Sequence, residues 1–388
     1  MNDSNALVLG IDASNIRGGG GVTHITEMLN MAQPELHGFR EVIIWGESAT
    51  LNLFEDRSWL SKKAIPQLFR FGFVNRLFWQ VFFLSKVVKK HNCNVLFVPG
   101  GSYVGRFSPV VAMSQNLLPF ETKELFRYGK RIFFIKLLVL RIIQSFTFKK
   151  VDGVIFLTKY AYKKVTEVIG SLDSEVRIIP HGINPRFNAV TRPQKEINLY
   201  DEFNPFKIIY VSTIDEYKHQ WHVIEAISKL RTIGLPLRLD LIGSSYPPAL
   251  IRLNNAIKKF DQSKTWVHYH GQVSFSGLHE FYGMADLGLF ASSCENMPNI
   301  LLEMMGSGLP IASSNKGPMK EILQNAGLYF DPEDPSGIAD VLYNLISNPE
   351  LRFKLAKAGN ALSNQYSWGK CSLDTLQFLS KVATDKER

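Results

Sequence analysis

The chain alternates short, solidly apolar runs with longer stretches whose apolar residues recur at helical spacing. The first series of short runs is Ala6–Asp12, Val42–Trp45, Val95–Val98, Val110–Met113, Gly153–Leu157 and Val176–Ile179. The second is Lys207–Val211, Leu237–Ile242, Trp266–His270, Leu287–Phe290, Ile311–Ser313 and Leu328–Phe330. Strands covered on both faces read as such unbroken apolar runs, so the pattern predicts parallel sheets with helices on either side. Helical patterns fall between the runs, for example at Val22–Met31, Phe73–Lys90, Trp221–Arg231 and Pro298–Met305. Strand–helix alternation along the whole chain places it in the α/β class.

A break falls at residues 183–206, which carry three prolines, several Asn and Asp, and little apolar periodicity. This stretch reads as a linker. Two doubly wound, Rossmann-like domains, 1–190 and 191–365, facing across a cleft form the simplest architecture. The strand-free segment 366–388 is expected to pack back on the first domain as a helix. Ligands of such sheets bind beyond the carboxyl ends of the strands.

Composition narrows the class. Of 388 residues, 45% are hydrophobic and 20% charged, which is ordinary for a globular protein and excludes disordered or fibrous chains. The net charge of +9 calls for an anionic partner: nucleic acid, a phosphorylated small molecule or a membrane surface. Cys93, Cys294 and Cys371 are far apart and odd in number, so neither a disulfide framework nor a CxxC zinc site is expected. A reducing cytoplasm suits them. No basic and apolar leader opens the sequence, and no apolar run reaches the roughly 20 residues that cross a bilayer.

The positive charge is concentrated. Residues 62–90 and 123–150 are rich in Lys, Arg and Phe and poor in acids. Such segments either lie on an anionic membrane as basic amphipathic helices or turn Phe inward while Lys and Arg snorkel outward. No nucleic-acid motif accompanies them, so nucleic acid is not an expected partner.

At the end of the first strand, Gly18, Gly19, Gly20 and Gly21 precede a helix starting near Val22. Glycines let a backbone approach a ligand closely, and a helix N-terminus favours an anion. The dinucleotide fingerprint fails here, because its third glycine position is Thr23 and no acid ends the Val42–Trp45 strand. A nicotinamide cofactor is therefore not expected. A connection that binds nothing is the plainer alternative.

The richest segment is Leu287–Ser314. An apolar strand ends at Ser292–Ser293, a short loop carries Glu295, and a helix begins near Pro298 with Glu303 inside it. The first-turn N–H groups of Asn299, Ile300 and Leu301 would lack intrahelical partners and could receive a phosphate. Glu295 and Glu303 could each bind hydroxyls, one on either side of a diphosphate. The plainer reading makes Glu295 a charge complementing the helix dipole and Glu303 a surface residue.

Glu295-x7-Glu303 followed by MMGSGLP resembles the signature of family 4 retaining glycosyltransferases, which have the GT-B fold. The Gly18–Gly21 loop, the stretch Ile178–Ile183, Lys207–Lys218 and Trp266–Val273 resemble further elements in the same order. GIDASNIRGGGGVTHI, MSQNLLPFE and CENMPNILLE resemble a subgroup acting in bacterial surface-polysaccharide synthesis. The resemblance implies an acceptor-binding first domain and a donor-binding second domain. It implies that Glu295 contacts the donor sugar, Glu303 the ribose and Lys218 the diphosphate, with Glu295 and Lys218 as the catalytic pair. Gln272 and Val273 would lie near the base, and Asn299, Ile300 and Leu301 would offer N–H groups. Gly20 and Gly21 would allow close approach from the first domain.

Two departures matter. Thr213 stands where the family carries a phosphate Arg, and Gln115-Asn116 stand where it often has His. His24, Gln115 and His181 are the remaining candidates on the acceptor or sugar side.

The expected reaction is retaining transfer from a nucleotide-diphosphate sugar, as substrate, to a glycan or lipid-linked hydroxyl, with no cofactor. Asp-x-Asp pairs are absent, so Lys218 and a helix N-terminus would replace a metal. The resemblance implies front-face substitution rather than a covalent intermediate. The expected place is the cytoplasm, peripheral at the inner face of the plasma membrane. A sugar-nucleotide 2-epimerase and a non-catalytic carbohydrate-binding scaffold are the competing readings.

Overall fold

The computed structural model describes residues 6–67, 72–129 and 132–385. Parts of the two basic aromatic stretches (68–71 and 130–131) and the ends of the expected domain bounds lie outside these residues. The chain divides into two compact units.

The first unit holds seven parallel strands: β1 Leu7–Asp12, β2 Phe39–Gly46, β3 Leu60–Ala64, β4 Val95–Val98, β5 Val110–Ser114, β6 Gly153–Phe156 and β7 Glu175–Ile178. Their order is β3-β2-β1-β4-β5-β6-β7, so the winding reverses between β1 and β4. Strands β1, β4, β5 and β6 are buried throughout, which is why they read as solid apolar runs. Val8, Ile43, Leu96, Val110 and Phe156 pack there with Trp79, Leu84 and Phe148 from the helices. The second unit holds β8 Phe206–Val211, β9 Leu237–Ile242, β10 Val267–Tyr269, β11 Leu287–Phe290, β12 Ile311–Ser314 and β13 Leu328–Phe330. Their order is β10-β9-β8-β11-β12-β13, with the reversal between β8 and β11. Two Rossmann-like units of this kind make the GT-B class of fold.

Three differences from the sequence expectation have physical reasons. Strand β3, LSKKA, was not in the apolar series, because an edge strand is covered on fewer sides and tolerates Lys62 and Lys63. The helical pattern at 73–90 is broken by a π turn at Gln80–Leu84. There the buried Gln80 Nε2 donates to Asp12 Oδ2 at 2.7 Å and to the Ser102 carbonyl at 2.9 Å. A π turn inserts one residue and so re-aims a side chain.

The stretch 183–206 is not a free linker, and it belongs to the second unit from Ile183 onward. The buried Arg352 binds it, donating from Nε to Gln194 at 3.2 Å and from Nη2 to the Lys195 carbonyl. Arg352 Nη1 donates to the Leu345 and Ile346 carbonyls, so this buried guanidinium is well supplied with acceptors.

The first unit ends at Gly182 and takes back residues from Ser367, while Phe126–Tyr128 cluster with the second unit. The helix Trp368–Asp385 packs on the helix Gly19–Asn30 and on β4 and β5. Glycine is required at 182, since a Cβ there would lie 2.1 Å from the Trp368 nitrogen.

Candidate active site

The second unit's switch point brings two loops together. The loop after β8 ends at Lys218 and His219, and His219 adopts a left-handed conformation (φ 54°) to start the helix Gln220–Thr232. The loop after β11 carries Ser293 and Glu295. Backbone and side chain join them: Ser293 N–H donates to the Tyr217 carbonyl at 2.9 Å, and His219 Nε2 lies 2.9 Å from Ser293 Oγ. The Tyr210 hydroxyl donates to the Lys218 carbonyl at 2.8 Å, fixing the loop on its own strand.

On this frame Lys218 Nζ donates to Glu295 Oε1. Their side chains are 10% and 15% exposed, so the pair is largely shielded from solvent while keeping one open side. The ammonium also sits 4.9 Å from the Tyr217 ring centre and 5.3 Å from that of Phe290. A cation held by one carboxylate and two ring faces keeps donors to spare for a second anion.

Glu303 is not the helix-surface residue of the plainer reading. It lies inside the helix Asn299–Gly306, 5% exposed, and its Oε2 accepts from the Tyr282 hydroxyl at 3.1 Å. Phe187 packs against both Tyr282 and Phe275, and Arg186 lies over the Phe275 ring at 4.6 Å. Burial pushes the carboxyl up from 4.5 to about 7, opposed by the Tyr282 hydrogen bond and the Arg186 charge.

A stability prediction follows. The unfolded chain loses this proton near 4.5 and the folded protein near 7. Between those values the folded state holds more protons, so stability falls as pH rises through the window and levels off above it. The difference amounts to about 3 kcal/mol. Glu303→Gln should remove that slope in urea midpoints compared between acid and neutral pH. An unchanged slope would show that Glu303 ionises freely.

The helix N-terminus offers less than expected. Leu301 N–H donates to the Pro298 carbonyl at 3.1 Å, because the first turn closes on the capping proline. That corrects the expectation of three unpartnered groups. Asn299 brings something the sequence did not suggest: its side-chain Oδ1 is buried without a hydrogen-bond partner.

Thr213 follows β8 and lies 3.3 Å from Ser244 across the loops. Gln272 is exposed and Val273 half-buried after β10, two residues before Phe275. Three contributors were not read from the sequence. Tyr128 donates to Asp215 at 2.7 Å beside the Lys218 loop, Arg127 pairs with Glu333 at 2.6 Å, and Gly317 borders the Glu295 backbone. Asp215 is raised by burial, with Tyr128 opposing. These partners come from distant parts of the chain, so no local spacing announces them.

In the first unit, Gly20 and Gly21 lie in the first turn of Gly19–Asn30, earlier than the expected start at Val22. A Cβ on Gly21 would stand 2.9 Å from Gln115 Oε1, the far end of a flexible side chain that can move aside. His24 is fully buried, its ring centre 4.9 Å from that of His181 and 5.7 Å from that of Trp368. Burial lowers His24 to about 4, and burial first and then the His24 charge hold His181 well below its ordinary value. Both imidazoles are therefore neutral at pH 7. Among the described residues no group of three or more His, Cys, Asp or Glu could hold a metal ion.

Comparison with known proteins points to glycosyltransferases. Residues 194–361 match the family described as glycosyl transferases group 1. The chain is 25% identical over 168 residues to the O-antigen chain mannosyltransferase B of Escherichia coli, covering 43% of this chain and 44% of that protein. It thus spans less than half the length of that relative. Among solved structures, sucrose-phosphate synthase from Thermosynechococcus elongatus aligns with a TM-score of 0.78 at 15% identity, over 98% of this chain and all of that one. Anabaena HepE in complex with UDP aligns with a TM-score of 0.70 at 15% identity, over 97% and 100%.

Proposed function

We propose that this protein is a retaining glycosyltransferase that moves a sugar from a nucleotide-diphosphate donor to a hydroxyl of a lipid-linked or growing surface polysaccharide, of O-antigen or capsule type. The observation that carries this reading is the Lys218–Glu295 pair at the second sheet's switch point. A diphosphate needs a cation and N–H donors, and a donor sugar needs an acceptor for its hydroxyls. Lys218 supplies the first, the Asn299 and Ile300 N–H groups the second, and Glu295 the third. The unsatisfied Asn299 Oδ1 is a further place for a hydroxyl or amide of the donor.

The donor's C1–O bond to phosphate breaks as the acceptor oxygen bonds to C1 on the same face. The acceptor proton passes to the leaving phosphate oxygen, and Lys218 holds the charge released there. Glu295 orients the sugar and offsets positive charge developing at C1. Charge balance thus comes from Lys218 and the helix start, so no metal is required and no cofactor takes part. The O-antigen relative supports a surface-polysaccharide acceptor, and the UDP-bound neighbour supports a nucleoside diphosphate donor.

A panel of nucleotide sugars tests this. One donor should raise thermal stability by about 3 kcal/mol at roughly a hundredfold excess over Kd. The same donor should then be turned over in excess EDTA. A panel without a hit would overturn the donor assignment, and activity restored only by Mg²⁺ would overturn metal independence.

A further inference from the structure

We infer that the first unit carries a docking surface for an anionic phospholipid bilayer. It is built from the helix Ile132–Lys150 and the helical run from Phe73 to Lys90. The inference deepens the proposed function and rests on it only for the identity of the acceptor.

On the first helix Ile132, Ile135, Val139, Ile142 and Phe146 are all exposed, Ile132 to 87% and Ile142 to 68%. Their spacing of three and four residues puts them on one face. Leu137, Gln144 and Phe148 are buried, so the helix is seated on the unit and still shows an apolar stripe outward. Lys136, Lys149 and Lys150 are exposed around that stripe, and the helix has no acidic residue.

The second run presents the same chemistry. Phe78 and Phe82 are about half exposed, with rings 4.4 Å apart, and Lys86, Lys89 and Lys90 follow in the open. Both runs grip one loop. Gln80 donates to the Ser102 carbonyl at 2.9 Å and Ser85 Oγ accepts from Arg106 N–H at 2.9 Å. From the other side Thr147 donates to the Tyr103 carbonyl at 3.0 Å and Lys150 to that of Gly105 at 2.7 Å. The two apolar, lysine-edged elements are therefore neighbours.

Charge decides the occupant. From Arg57 through Val151, counting Arg57, the chain carries seventeen Lys or Arg and only two acids, Glu121 and Glu124. The net +9 of the protein is thus supplied by this stretch, and the rest is net acidic. A heptad-like stripe could also pair with a second copy, but two such copies would bring like charges together. An anionic bilayer accepts both the apolar side chains and the lysines. No helix among the described residues is long and apolar enough to cross a membrane, so the contact would lie in the interface plane.

The test is co-sedimentation of the full chain with vesicles of equal parts phosphatidylglycerol and phosphatidylcholine, against phosphatidylcholine alone. Binding should favour the anionic vesicles by at least about tenfold and weaken with added salt. Ile142→Glu should cut it by about tenfold, and the pair Lys86→Glu with Lys89→Glu at least as much, by about fivefold or more for each lysine. Unfolding curves close to wild type would show that these variants fold. Glu295→Gln should bind vesicles as wild type does, which separates docking from catalysis. Failure to bind, equal binding to neutral vesicles, or a solution dimer that Ile142→Glu dissociates would overturn the proposal.

Discussion

Glu295→Gln should lower transfer by about 10²–10³-fold or more while the protein remains folded. The amide keeps the shape and one acceptor oxygen, so Lys218 can still donate to residue 295. The charge is gone, however, and with it the offset to positive charge at the reacting carbon. A stability loss of about 1–3 kcal/mol is expected, because Lys218 then faces a neutral acceptor in a shielded place. Binding gives the sharper signature. In the free protein Glu295 holds the cation that a diphosphate would also use, and its charge repels the phosphates. The variant should therefore bind the free nucleoside diphosphate at least as tightly as wild type. Circular dichroism, calorimetric binding and turnover together check this. Turnover within tenfold of wild type would remove Glu295 from the mechanism.

The fold was legible where burial is symmetric. Strands such as Val95–Val98 and Leu287–Phe290 are covered on both faces, and their apolar runs match the observed limits. Legibility fails where a residue answers to a distant partner. Leu60–Ala64 is a strand because β2 pairs with it, although its own residues are largely polar. The prolines of 183–206 suggested a linker, but Arg352, more than 150 residues on, binds that stretch into the second unit.

The site divides along the same line. Glu295 and Lys218 lie on loops at the ends of adjacent strands, a place that strand order and apolar pattern indicate. Their direct pairing depends on the Tyr217–Ser293 and His219–Ser293 contacts, which no spacing reveals. The burial of Glu303 depends on Tyr282 and Phe187, and that of His24 on His181 and Trp368. Motif spacing locates a carboxylate on a helix. It says nothing of what closes over it.

Lys218→Met should impair binding and chemistry together. The thioether fits the same slot between the Tyr217 and Phe290 rings, so the fold is kept, at a stability cost of about 3 kcal/mol for the carboxylate left unpaired. Glu295 would lose its cation and present an unbalanced carboxylate to an incoming diphosphate. Affinity for the nucleoside diphosphate should fall by about 10²-fold, since a shielded charge pair with one member removed costs a few kcal/mol. Transfer should fall by about 10²–10³-fold beyond that, because the leaving charge has lost its counter-ion. The double variant Lys218→Met with Glu295→Gln separates the two losses. Removing the carboxylate also removes the repulsion, so diphosphate affinity should recover in part while transfer stays absent. Strict additivity of the two single effects on binding would mean that the residues do not share the diphosphate. Lys218→Arg should recover only part of the activity, because a planar fork does not reproduce a compact ammonium held between a carboxylate and two rings. Full activity in Lys218→Met would leave the site without its counter-ion and would overturn the metal-free mechanism.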